Sequence, residues 1–407
     1  MYQTLAILAV FILIYSSVAG GMERTPISGP IIFTAFGVLV GPVGLGLLAL
    51  EVTAETIRML AELTLALVLF TDAAAADLAT LRTTWRLPVR LLLLGLPLTI
   101  LVGFGVGKMF FPDMSGFEVA LLATLLAPTD AALGKGVVTN QAVPKNVRQS
   151  LSVESGLNDG ICVPILLVFL ALAIEQHGDK STGSLVFSFL VKEIGIGVVV
   201  GLVLTGGAVS LLRFCHRRQW ISDIWIQLPV ISLAIGCFAM AQLFGGSGFI
   251  AAFVGGLLFG VRLKEYRKEL LRAVEGEGET FALLTWVIFG TAVVGKAFQY
   301  FSWPILLYAV LSLTLIRMVP VFVSLTGLGV SLEGRLFMGW FGPRGLASIV
   351  FGVIVLNAHL PNSRVIAHVV VWTVILSILL HGVTANIWAR GYGQRWQLAQ
   401  GGKSGES

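Results

Sequence analysis

Leu125-Leu126-Ala127-Pro128-Thr129-Asp130-Ala131-Ala132, followed further on by Glu154-Ser155-Gly156-Leu157-Asn158-Asp159-Gly160, decides how this chain reads. Each polar set interrupts an apolar run that is otherwise long enough to cross a bilayer. A carboxylate at that depth is costly and marks a functional site by default. Pro128 removes a backbone N–H and crowds the preceding turn, so the helix is expected to break beside Thr129 and Asp130. Irregular backbone at membrane depth survives only where it lines a cavity or is buried in protein. Acids, an amide, two hydroxyls and a broken helix at one depth predict an ion-binding site.

The surrounding composition agrees. The chain has 407 residues, 56% hydrophobic and 12% charged, with a mean hydropathy of +0.91. A soluble domain carries about 25% charge, so an all-α polytopic membrane protein is expected. The 47 glycines suit closely packed membrane helices. The net charge of +5 sorts into loops and calls for no nucleic-acid partner. Cys162, Cys215 and Cys237 lie scattered in apolar segments without metal-ligand spacing and read as packing residues. The first apolar run, Thr4 to Val18, resembles a signal-peptide core but lacks a basic leader and reads as a helix of the mature chain.

Apolar spans of about 20 residues are the expected unit. Thirteen are read: 4–19, 27–49, 55–76, 87–111, 116–139, 147–175, 184–214, 223–244, 246–262, 280–298, 302–325, 333–358 and 364–390. Basic residues then sort by loop parity. Odd loops and the C-terminus hold Arg24; Arg82, Arg86, Arg90; Lys145, Arg148; Arg213, Arg217, Arg218; Arg262 to Arg272; Arg335; and Arg390, Arg395, Lys403, whereas even loops offer little beyond Lys180 and Arg364. The positive-inside rule places the N-terminus outside and the C-terminus in the cytoplasm; the membrane expected is a bacterial or archaeal plasma membrane. The charged loop 262–279 reads as a solvated cytoplasmic connection, and 391–407 as a short cytoplasmic tail.

An internal repeat organises the spans. Ser28-Gly29, Gly37 and Gly41 match Ser247-Gly248, Gly256 and Gly260 at a constant offset of 219; Leu69-Phe70 and Ile288-Phe289 keep that register; Ala127-Pro128 matches Gly342-Pro343 at 215. Repeat one covers about 1–175, a linking helix 184–214, and repeat two about 223–390, all within a single membrane transport domain. An odd shift of seven helices turns the second copy upside down. Inverted repeats with a broken helix in each half point to a transport site near the midplane.

Spacing assigns the chemistry. Ser155 and Asp159 are i,i+4, as are Glu154 and Asn158, so each pair shares a helix face. Half-helix ends at the break supply partial charges to a cation and to Asp130. Arg344, after Pro343 in the second break, needs a buried anion, and Glu154 is the expected partner in a structural ion pair. Asp72 sits toward the cytoplasmic end of its helix, at the mouth of an access funnel or simply solvated. Glu62 and Arg317 lie within apolar runs without an assignable partner. His368 and His381 read as packing histidines, and Lys135 and Lys145 as topology markers.

Together, Pro128-Thr129-Asp130, Glu154 to Asp159 and Gly339-Trp340-Phe341-Gly342-Pro343-Arg344-Gly345 resemble the signature of NhaP/NHE-type sodium/proton antiporters across essentially the whole chain. The resemblance implies the thirteen-helix NhaA/NhaP-like fold with two inverted six-helix repeats, a core domain moving against a dimerising panel, a homodimer, no cofactor, and exchange of Na⁺ or Li⁺ for H⁺. Carried over, Asp159, Asp130, Thr129 and Ser155 would surround the metal ion, Asn158 would orient the site, and Glu154–Arg344 would be the stabilising pair. Asp159 would hold either Na⁺ or a proton. Because the residue before it is the amide Asn158, exchange is expected to be electroneutral.

K⁺/H⁺ exchange stands as the alternative within transport, since selectivity depends on ligand geometry. An intramembrane aspartyl protease is disfavoured because the Gly-x-Gly-Asp pattern is missing, and a gated channel would conduct without proton coupling.

Overall fold

The computed structural model describes residues 2–22, 25, 27–48, 54–76, 85–130, 133–176, 183–220, 228–263 and 282–401. All but the first two residues of the charged loop 262–279, and the last tail residues, 402–407, lie outside the described residues. Among the described residues every regular element is helical. In chain order these are α1 Tyr2–Met22, α2 Gly29–Val40, α3 Ala54–Ala75, α4 Arg86–Phe110, α5 Gly116–Leu125, α6 Lys145–Gln176, α7 Gly183–Arg217, α8 Leu228–Leu243, α9 Gly248–Arg262, α10 Ala282–Val294, α11 Trp303–Ser324, α12 Leu332–Trp340, α13 Leu346–Asn357 and α14 Ser363–Gly401. The single turn Lys135–Val138 stands between α5 and α6.

Six described helices are long and apolar enough to cross a membrane: α1, α4, α6, α11, α14 and the Val191–Arg217 part of α7. Their exposed faces remain apolar, with Leu13, Leu93, Leu101, Val203 and Ile387 all uncovered. That is the arrangement expected where lipid, not water, meets the surface.

Two groups of helices build the molecule. In one, α9 packs against α3, α7 and α8; α2 and α10 pack against each other and both touch α14. These contacts are backbone-close: a Cβ at Gly256 would strike the Phe70 carbonyl, and one at Gly37 the Val287 carbonyl. Small residues at such crossings let membrane helices approach. In the other group α5 lies between α4 and α6, α11 runs along α4 and α14, and α13 packs on α14. Helix α6 touches both groups, meeting α3, α7 and α9 on one side and α5 and α12 on the other.

Caps set where the critical helices begin. Ser115 Oγ accepts from the Glu118 N–H at 3.2 Å and Glu118 accepts from the Ser115 N–H at 3.0 Å, a capping box that starts α5. Glu118, fully buried, also accepts from the Asn362 backbone and side-chain amides, each at 3.0 Å, which fastens α5 to the start of α14. Ser331 Oγ caps α12 by accepting from the Gly334 N–H at 3.1 Å.

Candidate ion-binding site

Helix α5 stops at Leu125 and α12 at Trp340, just ahead of Pro128 and Pro343. The two extended stretches that follow meet each other. The Asp130 N–H donates to the Pro343 carbonyl at 2.8 Å. The Asp130 carboxylate accepts from the Leu346 N–H at 3.1 Å, in the first turn of α13, and from the Leu133 N–H at 3.4 Å. Arg344 Nη1 donates to the Pro128 carbonyl at 3.3 Å and the Gly342 carbonyl at 3.0 Å, beyond the C-terminal ends of α5 and α12. An anion therefore faces a half-helix N-terminus and a cation faces two C-terminal ends, as the macrodipole favours. The Arg344 backbone N–H is held by Ser377 Oγ at 2.7 Å.

The structure corrects the ion pair. Glu154 Oε1 lies 2.6 Å from Arg317 Nη1, with both side chains at most 2% exposed. Arg344 is instead taken up by the carbonyls of the two breaks. The physical reason is positional: Arg317 lies in the helical segment Leu315–Ser324 that follows the interruption of α11 at Thr314, whereas Arg344 sits where the two extended stretches cross and leave carbonyls without helical partners. Arg317 was visible in the sequence as a cation inside an apolar run. What the sequence lacked was a way to choose which of two buried arginines faces Glu154.

Around Thr129 the expected groups converge. Ser155 Oγ donates to the Thr129 carbonyl, and Asn158 Nδ2 donates to Thr129 Oγ1 at 2.7 Å. Thr129, Ser155, Asn158 and Asp159 are all buried. Asn158 thus orients Thr129, while its own Oδ1 and Asp159 Oδ1 are buried and accept no hydrogen bond from the described residues. Buried acceptors without donors are costly unless a proton or cation satisfies them. A narrow crevice reaches this cluster, lined by Thr129, Asp130, Ser155, Leu151, Val137 and Phe341 among others. The backbone of Asp72 packs against α6 beside Ser155: a Cβ at Gly156 would sit 3.1 Å from the Asp72 carbonyl.

The weaker candidates find ordinary partners. Glu62 pairs with Arg58 at 2.6 Å, one turn away on α3. His381 Nε2 lies 2.9 Å from the Trp340 carbonyl and Nδ1 3.1 Å from the Ser377 carbonyl, and His368 stacks on Tyr300. Phe341, within the Gly339–Gly345 motif, lines the crevice beside Thr129 and Pro343.

A model of the family described as sodium/hydrogen exchanger, transmembrane, matches residues 7–391. The chain belongs to that family. Relatives include the K(+)/H(+) antiporter NhaP2 of Shewanella sp. strain ANA-3, 24% identical over 361 residues that cover 88% of this chain and 62% of the relative. The K(+)/H(+) antiporter NhaP of Alkalimonas amylolytica is 24% identical over 95% of this chain and 66% of its own length. The Na(+)/H(+) antiporter of Schizosaccharomyces pombe is 22% identical over 70% and 67%. The chain therefore spans a little under two thirds of the first of these relatives. In fold, this family member is similar to the sodium proton antiporter MjNhaP1 of Methanocaldococcus jannaschii, with a TM-score of 0.75, 21% identity and coverage of 94% of this chain and 98% of that one.

Proposed function

We propose that the chain is a secondary transporter that exchanges Na⁺ or Li⁺ for H⁺ across the membrane by alternating access. The observation that carries this reading is the buried oxygen cluster: the Asp159 carboxylate with an unfilled acceptor, beside Asn158, Ser155 and Thr129. A dehydrated monovalent cation is hard and takes oxygen ligands. A carboxylate in that setting holds a cation or a proton, and binding one excludes the other. A bare charge there is disfavoured, so the unloaded site resists crossing between the two facing states, and the two gradients are coupled.

In this reading Asp159 is the exchanging group, with Thr129 and Ser155 as neutral ligands. Asn158 orients the cluster, and Asp130 lies at its edge and balances the α13 dipole. Asp72 lines the approach. One exchanging carboxylate makes each cycle electroneutral. The protein works as a homodimer in a bacterial or archaeal plasma membrane with its C-terminus in the cytoplasm, and its halves are inverted repeats that form thirteen spans in all. K⁺ in place of Na⁺ is the second reading, favoured by the NhaP2 and NhaP relatives, which are named as K(+)/H(+) antiporters.

Purified protein in proteoliposomes with an internal pH dye tests this. Addition of Na⁺ or Li⁺ should dissipate an imposed pH gradient, at the same rate with and without a valinomycin-set potential. Dissipation by K⁺ alone would select the second reading, and a rate that climbs with the potential would defeat the single-carboxylate account.

A further inference from the structure

Helix α6 carries Asp159 between the two groups of helices. On one side it is tied to the breaks by the Ser155 and Asn158 bonds to Thr129 and to α11 by Glu154–Arg317. On the other side it presents Gly156 and Gly160, one turn apart, to α3 and α9. Gly156 rests on the Asp72 carbonyl, and Gly160 lies directly under the ring of Phe253, so closely that a Cβ there would occupy the ring's place. Phe253 is half-buried and belongs to a small apolar seam with Ala76, Leu92, Val153, Leu157, Ile161 and Leu257.

The backbone of Phe253 cannot retreat. Immediately after it, Gly255 packs against Thr205 and Cys237, Gly256 against the Phe70 carbonyl and Gly260 against the Ala74 carbonyl. These contacts lock α9 onto α3, α7 and α8. A displacement of α6 along this face therefore carries the residue after Asp159 past the ring of Phe253, whose backbone is held in place. Interiors this tightly packed switch between discrete arrangements instead of deforming gradually.

We propose that Phe253 is the steric gate of the exchange cycle, a ring seated on Gly160 that sets the barrier to moving the Asp159 helix across the α3–α9 face. This rests on the exchange activity proposed above. Phe253 is a positioning residue: it touches neither cation nor proton and acts through α6.

The test is a rescue experiment on Na⁺-driven pH-gradient dissipation in proteoliposomes, with Gly160→Ala, Phe253→Ala, Phe253→Trp and the double variant Gly160→Ala/Phe253→Ala. The gate predicts that Gly160→Ala and Phe253→Trp slow maximal exchange by about threefold or more, with half-saturating Na⁺ little changed, because only the barrier is altered. Phe253→Ala should be as fast as wild type or faster, and the double variant should recover the rate that Gly160→Ala loses. If Phe253→Ala does not fold, Phe253→Leu takes its place in both arms. The proposal is overturned if the double variant is as slow as Gly160→Ala, if the variants shift half-saturating Na⁺ at unchanged maximal rate, or if all of them match wild type. A wild type that exchanges no cation for protons overturns the exchange reading itself and the gate with it.

Discussion

Exchanging the Glu154–Arg317 pair for apolar residues should separate a buried pair's local cost from its net worth. With both side chains at most 2% exposed and 2.6 Å apart, removing one partner strands a charge in the interior. Breaking such a pair costs about 3–5 kcal/mol, whereas replacing both ions by apolar groups of similar size is often neutral or stabilising. Glu154→Leu and Arg317→Met should each destabilise by that amount, and the double variant should return close to wild type. The resulting coupling is on the order of 6 kcal/mol or more, well beyond the additivity error of independent sites. A parallel cycle of Glu154→Leu with Arg344→Met should show less than half of it, because the described contacts of Arg344 are to carbonyls at the helix breaks. Unfolding in a graded SDS titration can be followed with a thiol-reactive dye, since Cys162 and Cys237 are buried until the fold opens. Coupling near zero for 154/317, or equal coupling for 154/344, would refute the assignment.

Three further outcomes follow from the site. Gly345→Ala should lower both stability and exchange, since its Cβ would fall on the Asp130 carboxylate, while Gly105→Ala, with open space around it, should leave exchange unchanged and gain about 0.5–1 kcal/mol of stability as a helical Gly→Ala change; equal melting and exchange in the two variants would contradict this. Asp130→Asn should slow exchange without abolishing it, because an amide still accepts from the Leu346 N–H, and a completely inactive yet folded Asp130→Asn would make Asp130 a second exchanging group. Ser155→Ala and Thr129→Val should raise half-saturating Na⁺ by about fivefold each, the scale of one lost polar contact near 1 kcal/mol, measured in the pH-dye assay.

Much of this was legible in the chain before any coordinates. Pro128 and Pro343 announced the breaks because proline denies a helix its N–H wherever it sits, and the i,i+4 spacing of Ser155 with Asp159 and of Glu154 with Asn158 put each pair on one helix face. Gly37 and Gly256, matched in the sequence as repeat positions, lie in the structure at backbone-close crossings of α2 with α10 and of α9 with α3. What stayed hidden depends on how helices rotate about their axes. Two arginines could each have met Glu154, and only the packing of α11 chooses Arg317. Glu118 ties α5 to Asn362 far along the chain, a contact that no local pattern announces. Phe253 carries no local signal, since its role arises only where α9 meets the bare backbone of α6.

The most direct test of the central claim is the Na⁺ dependence of exchange measured over a series of pH values applied on the Na⁺ side, with wild type and Asp159→Asn side by side. If one carboxylate holds either ion, protons compete with Na⁺: on the acid side, half-saturating Na⁺ should rise about tenfold per pH unit at constant maximal rate, as an affinity shift without loss of turnover, and folded Asp159→Asn should show no exchange at any pH. A maximal rate that falls with acid at unchanged half-saturation, or Na⁺-driven proton flux through Asp159→Asn, would contradict it.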